Sequence, residues 1–365
     1  MSTGQSLSGG AAGIALLRLE QAHTGAAGWD SAHTALLQAT AGAVSSAVDT
    51  GLFYGAPALS FVLHAARDLP DLRHARETVD TATAAITRTR LAQAHKRIDR
   101  HRRPAITEYD LISGLTGLGV TARRSGNHDL LRQILQYLVR LTEPLDGLPG
   151  WWTLHSHQRN KPAPAGGHSN HGMAHGITGP LTLLALTHLD GIHVTGQTAA
   201  IARICDWLDT WEQHHNGRDR WWPKTITLAE LDSATPHQTG PHQPSWCYGT
   251  PGITRALHAA ARAMDDHLRQ QTAEQALSDC LADPAQLGRL TGRTLCHGTG
   301  GLLITARRIA ADARGHIDLT PALTHHQHTP APADEPPGFL TGAAGATLAH
   351  LATNVTSWDA CLLLS

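Results

Sequence analysis

Residues 248–257 read YGTPGITRAL, and residues 297–306 read HGTGGLLITA. Each is a Gly-x-x-Gly followed by an apolar stretch of helical character. The same signature recurs at 8–17 (SGGAAGIALL), 113–119 (SGLTGLG), 175–186 (HGITGPLTLLAL) and 341–351 (TGAAGATLAHL). A seventh copy at 54–63, YGAPALSFVL, keeps Gly55 and has Ala58 at the second position. The first glycines, at 10, 55, 114, 176, 249, 298 and 342, lie 44 to 73 residues apart, which is room for two helices and their loops. Periodicity on this scale marks an architecture built from one supersecondary unit. A turn that feeds a helix at a crowded centre needs glycine, for close backbone approach and for positive φ. One such copy is only a helix-start turn. Seven in register predict an all-α array of seven helix pairs, closed or superhelical.

Other helical patterns lie between the glycine turns. In DLLRQILQYLVRL, Leu131, Leu135, Leu138 and Leu141 share a face, and in IARICDWLDTW so do Ile201, Cys205, Leu208 and Trp211. This is the three-and-four spacing of a half-buried helix. Alternating strand patterns are nearly absent, apart from a short extended piece around Trp221 to Leu228. Non-helical material is expected at 143–172, at 213–245 and in the His- and Pro-rich stretch 315–337, where His325, His326 and His328 read as a solvated loop rather than a metal site.

Composition removes several classes of function. The 365 residues are 41% hydrophobic, enough for a large core, and the net charge of −1 gives no basic field for nucleic acid or anionic lipid. The N-terminal MSTGQSLSGG has no secretory pattern, and no apolar run approaches the roughly 20 residues of a membrane span. The expected location is the cytoplasm. Five cysteines, an odd number, argue against a disulfide framework and leave buried thiols or metal ligands.

Two turns differ just before their first glycine. One reads Trp246-Cys247-Tyr248-Gly249 and the other Cys296-His297-Gly298. If the repeats converge, two thiolates and an imidazole meet despite their separation in sequence, a donor set that suits Zn²⁺ with one tetrahedral position open, as in catalytic sites. The bland alternative is two buried cysteines and a satisfied histidine. A third turn carries His175 before Gly176, and a fourth carries Asp110 four positions before Gly114. They supply an acid/base candidate and a partner carboxylate at the same end of the array. Taken singly, each reads as a core histidine and a helix cap.

The motifs WCYGTPGI, CHGTGGL, GMAHGITGP, YDLISGLTG and GFLTGAAG, in their order, resemble those of the lanthionine synthetase C-like (LanC) family, and the likeness runs from GGAAGIALL to SWDACLLLS. The resemblance implies one α/α toroid domain over residues 1–365, with two concentric seven-helix rings. It also implies a reaction: addition of peptide Cys thiols to dehydroalanine and dehydrobutyrine, giving lanthionine and methyllanthionine rings. Carried over to this chain, Cys247, Cys296 and His297 match the zinc ligands. His175 matches the acid/base histidine, Asp110 the carboxylate acting with it, and Tyr248 a site-lining tyrosine. The implied partners are a dehydrated precursor peptide, a lanthipeptide dehydratase and a transporter, which would put the protein beside a membrane-associated complex. The match has one departure. Members of the family often carry Arg four positions before the first zinc cysteine, where this chain has Gln243. The neighbouring His242, if protonated, is the expected substitute charge.

Three other readings use overlapping features. A LanC-like enzyme that adds another thiol, such as glutathione, would keep every residue named above. A non-catalytic zinc scaffold would bind peptide without needing His175 and Asp110. A toroidal glycoside hydrolase or terpenoid cyclase would need paired central acids, and the turns offer only Asp110.

Overall fold

The computed structural model describes residues 3–156, 162–215 and 219–365. Among them, helices of nine residues or more alternate between two rings. The inner ring is α1 (Ala11–His23), α3 (Ala56–Ala65), α5 (Leu115–Ser125), α7 (Thr178–Leu189), α9 (Thr250–Ala263), α11 (Thr299–Asp312) and α13 (Ala343–Leu351). The outer ring is α2 (Trp29–Thr40), α4 (Arg73–Asp99), α6 (His128–Leu141), α8 (Gln197–Thr210), α10 (His267–Ala282) and α12 (Thr320–His328). Each outer helix packs on the inner helix before it. Each inner helix touches the next, and α13 touches α1, so the ring closes. This is an α/α toroid.

The residues sort themselves between the rings by polarity. Helix α7, TGPLTLLALTHL, is apolar on every side and buried from Thr178 to Thr187. Helix α6 buries Leu131, Ile134, Leu135 and Leu138 and turns its polar residues outward. A helix apolar all round belongs in a core, and one with a single stripe belongs at the surface.

Six of the seven first glycines are the N-caps of inner helices, and Gly176 stands two residues before α7. The second glycines have a specific reason. A Cβ at Gly252, Gly301 or Gly345 would overlap the carbonyl oxygen six residues earlier, on Trp246, Leu295 and Phe339. Those carbonyls belong to the residue three before the first glycine, and that residue is fully buried in every repeat: Leu7, Leu52, Leu111, Met173, Trp246, Leu295 and Phe339. Neighbouring turns are then tied by backbone. Leu7 N–H donates to Phe53 O, Leu111 to Ala174, Met173 to Cys247, Cys247 to Cys296, Cys296 to Leu340 and Leu340 to Ser8, at 2.9–3.2 Å. Among the described residues this girdle has one gap, between the turns before α3 and α5, and the turn before α3 is the one with Ala58 in place of its second glycine.

The outer ring differs from expectation. Among the described residues no α-helix follows α13. Instead the chain turns inward through a 3₁₀ turn, Trp358–Leu362, and Leu362, Leu363 and Leu364 are fully buried. Trp246 Nε1 donates to Leu362 O at 2.9 Å, and the buried Arg255 of α9 donates to Leu364 O at 2.8 Å, so this segment packs against the foot of the Cys247 turn. A second correction concerns 315–337. Residues 320–328 form α12 rather than a loop, with Pro321 in the first turn, where its missing N–H costs nothing. Ala322 and His326, four apart, are its buried residues, and His326 Nδ1 meets Thr299 Oγ1 at 2.9 Å.

Two short antiparallel ribbons lie outside the rings. Strand β1 (His168–Asn170) pairs with β4 (Thr225–Thr227), and β2 (Gln213–His215) pairs with β3 (Asp219–Trp221). The extended piece expected near Trp221 to Leu228 is there, and β1 lies just before the turn into α7. No helix of the described residues is long and apolar enough to cross a membrane.

Candidate functional site

The helix starts of the inner ring face one rim, and the backbone girdle sets which side chains meet there. Counting back from each first glycine, Cys247 and Cys296 stand two positions before it, and Tyr248, His297 and His175 one position before it. The hydrogen bond from Cys247 N–H to Cys296 O, 3.1 Å, joins the two cysteine backbones directly. As a result the Sγ atoms of Cys247 and Cys296 and a ring nitrogen of His297 all lie within 4.8 Å of one another. Cys247 is buried, Cys296 half-buried and His297 exposed, so the group opens to one side. Among the described residues this is the one His/Cys/Asp/Glu group spaced to hold a metal ion, and the histidines of α12 are not part of any other.

The two sulfurs lie in hydrogen-bond contact. A hydrogen bond from Cys296 brings the Cys247 thiol down to about 7, and the same contact pushes Cys296 up. Ser245, fully buried, adds a hydroxyl 3.6 Å from Cys247 Sγ. The remaining cysteines stay apart. Cys205, Cys280 and Cys361 are buried, and burial raises all three thiols, to about 12 for Cys205.

His175 and Asp110 also meet, at 2.6 Å between Nδ1 and Oδ2. Asp110 is fully buried, and its other oxygen accepts the Ser113 N–H at 2.8 Å, which fixes the carboxylate. Burial opposes charge on His175, but the hydrogen bond and charge of Asp110 outweigh it and raise the imidazole above its usual range. With Nδ1 engaged, Nε2 is left to act, and the His175 side chain is 43% exposed. The Met173 N–H bond to Cys247 O, 3.0 Å, holds this turn against the cysteine turn. Tyr248 packs where a Cβ on Gly172 would collide with its ring. Its hydroxyl accepts from Asn170 Nδ2 at 2.9 Å, and burial pushes the phenol pKa up, so it keeps a proton to donate.

Burial first, and the Lys224 charge second, hold His242 below the usual imidazole range, which disfavours it as the substitute charge. Gln243 turns its amide to His297 O, at 3.4 Å. Three neighbours of the site go beyond the sequence reading. Ser245 stands four positions before Gly249, as Asp110 does before Gly114, while Asn170 and Lys224 come from outside the glycine turns, and the pairing of β1 with β4 explains how those two arrive.

The sequence profile of the family described as "Lanthionine synthetase C-like protein" matches residues 2–363. The chain belongs to that family. Within the lanthionine synthetase C-like proteins, it is 24% identical over 202 residues to the nisin biosynthesis protein NisC of Lactococcus lactis subsp. lactis. That alignment covers 54% of this chain and 48% of NisC, so the chain matches about half the length of this relative. Among solved structures, the nisin cyclase superposes with a TM-score of 0.83 at 20% identity, over 100% of this chain and 93% of the cyclase. The family's toroid is therefore preserved at low sequence identity.

Proposed function

We propose that this protein is a zinc-dependent lanthipeptide cyclase, which closes thioether rings by adding peptide Cys thiols to dehydroalanine and dehydrobutyrine. One observation carries the reading: the Cys247–Cys296–His297 donors and the His175–Asp110 pair share one rim of a lanthionine synthetase C-like toroid. The donor set fits zinc. Tetrahedral Zn²⁺, with bonds of about 2.3 Å to sulfur and about 2.0 Å to nitrogen, needs donors roughly 3.5–3.8 Å apart. The three atoms lie within 4.8 Å, close to that spacing, and the lowered Cys247 thiol suits deprotonation on metal binding.

Zinc, when bound, would keep a substrate thiol deprotonated at neutral pH, where a free Cys with a pKa near 8.5 is mostly protonated. The residues do the rest. As the S–Cβ bond forms, the C=C electron pair moves onto the substrate carbonyl, giving an enolate. His175 holds a proton at Nε2 because Asp110 stabilises its charged form, and it delivers that proton to the α-carbon. The thiol proton goes to solvent and His175 is recharged from solvent, so the product is an isomer of the substrate. Tyr248, oriented by Asn170, donates its hydroxyl proton within the site.

The test is incubation with a dehydrated precursor peptide, followed by alkylation and mass spectrometry. The expected result is loss of alkylatable thiols with no change in peptide mass. Added glutathione appearing on the peptide instead would favour the intermolecular reading. Thiols left at their starting number with no glutathione on the peptide would sink both.

A further inference from the structure

Lys224 lies in none of the repeats, yet its backbone is held on both sides. Its N–H donates to Gln238 Oε1 at 3.0 Å, and its carbonyl accepts the His171 N–H at 3.0 Å. The His171 side chain adds a third tie. Trp207 Nε1–H donates to its Nε2 at 2.8 Å, which leaves the proton on Nδ1, and Nδ1–H donates to Pro223 O at 2.9 Å. His171 is fully buried and burial keeps it neutral, with a pKa of about 4, so this tautomer persists at neutral pH. A buried imidazole with both nitrogens engaged is thus committed to placing residues 223 and 224.

The placement serves the side chain. Lys224 Nζ stands 4.3 Å from the centroid of the Tyr248 ring, the residue next to Cys247. Among the described residues no carboxylate pairs with it; burial lowers its pKa, and the nearby Cys247 sulfur works against that shift. Its charge is felt by Cys247, by His175 and by His242. A half-buried ammonium without a carboxylate does little for stability, because its desolvation is poorly compensated. Stacking on an aromatic face recovers part of that cost and fixes the direction of the stem. Of the nearby alternatives, Gln243 carries no charge and burial disfavours the charged form of His242.

From this we infer that Lys224 is a catalytic cation of this site: its ammonium binds the carbonyl oxygen of the dehydroamino acid residue and holds the negative charge that gathers there as the thioether bond forms. The inference rests on the cyclase reading above and adds to it the group that stabilises the enolate. Lys224 stays protonated throughout, and the proton for the α-carbon still comes from His175. His171 and Gln238 are positioning residues for it.

The test uses zinc-loaded protein and two variants, Lys224→Met and Lys224→Arg. Loss of a preorganised charged donor at a developing oxyanion costs about 10²–10³-fold in rate. Lys224→Met is expected to lose that much in kcat, with KM and zinc content little changed, while Lys224→Arg retains most of the rate. Adding Gln243→Arg to Lys224→Met should restore at least part of it, which no packing role for Lys224 would do. A second readout needs no turnover. A precursor analogue with a phosphinate in place of the reacting carbonyl should bind wild type about tenfold or more tighter than its amide counterpart, the worth of one charge-assisted hydrogen bond, and Lys224→Met should lose that preference. Cyclisation by Lys224→Met within about twofold of wild type overturns the inference, as does equal binding of the two analogues by wild type. Should Lys224→Met fold poorly, Lys224→Gln, a shorter neutral side chain, is read by the same criteria. A wild type that closes no rings sinks the cyclase reading instead, and the phosphinate comparison then decides Lys224 on its own.

Discussion

The turns before α7, α9 and α11 and those before α1, α3 and α13 share one backbone and carry different side chains. Both arcs bury an apolar residue three positions before the first glycine, and both contribute to the girdle of backbone hydrogen bonds. In the next two positions one arc has Ala174-His175, Cys247-Tyr248 and Cys296-His297, and the other has Ser8-Gly9, Phe53-Tyr54 and Leu340-Thr341. The ring is held by main chain, glycines and the buried residue behind them. The two rim positions are thereby free to vary, and the chemistry is written there. Substitutions in the two arcs should therefore differ in function where they touch those positions and agree in stability where they touch the shared frame.

The largest difference is expected for Cys247→Ala, which should lose the metal and all cyclisation, whereas Cys205→Ala and Cys361→Ala, both buried away from the rim, should keep both. Elemental analysis beside the thiol assay checks this. Next comes His175→Asn, expected to slow ring closure by about 10²–10⁴-fold while remaining zinc-replete, since in the proposed mechanism the imidazole moves a proton and does not bind metal. The proposed mechanism needs the acid form of His175 in the wild type. The rate should fall as pH rises through its pKa, which Asp110 lifts above 6.5 against burial and the Lys224 charge, and the variant should lose that limb. Asp110→Asn should be similar or milder.

Two expectations concern the shared frame. Gly301→Ala, in the reacting arc, and Gly345→Ala, in the silent one, each drive a Cβ into a carbonyl oxygen. Overpacking of this kind costs about 1–3 kcal/mol, and denaturant midpoints should fall alike for the two. A fall confined to one arc would contradict a common frame. His171 and His326 are both held near 4 by burial, against 6.5 unperturbed. The unfolded chain binds those protons first, so their contribution to stability is complete above about 6.5 and is lost as pH falls through 4. Melting temperature should drop across that window, and His326→Gln should shallow the drop. The smallest effect is expected at Thr341, the silent counterpart of His297, where alanine should leave the rate within about twofold, as surface changes away from a site do.

The extent to which this was readable in the sequence follows the same division. The seven turns are legible because glycine is the one residue whose requirement survives without neighbours, and their register alone brings Cys247, Cys296, His297, His175 and Asp110 to one end of the array. The inward course of residues 358–364 was not legible, because an apolar segment says that it is buried and not where. Helix α12 was missed because histidines and flanking prolines outweighed a two-residue apolar stripe, Ala322 and His326. Lys224 left no signal at all. It reaches the rim through the pairing of β1 with β4 and the tautomer of His171, which are long-range contacts without a periodic pattern.

Metal stoichiometry read together with activity is the most direct test. Purified wild-type protein should contain one zinc per chain and close rings on a dehydrated precursor. Chelation should abolish both, and zinc should restore both. Metal-free protein that still cyclises the peptide at the full rate would contradict the proposal that Cys247, Cys296 and His297 form the reactive centre.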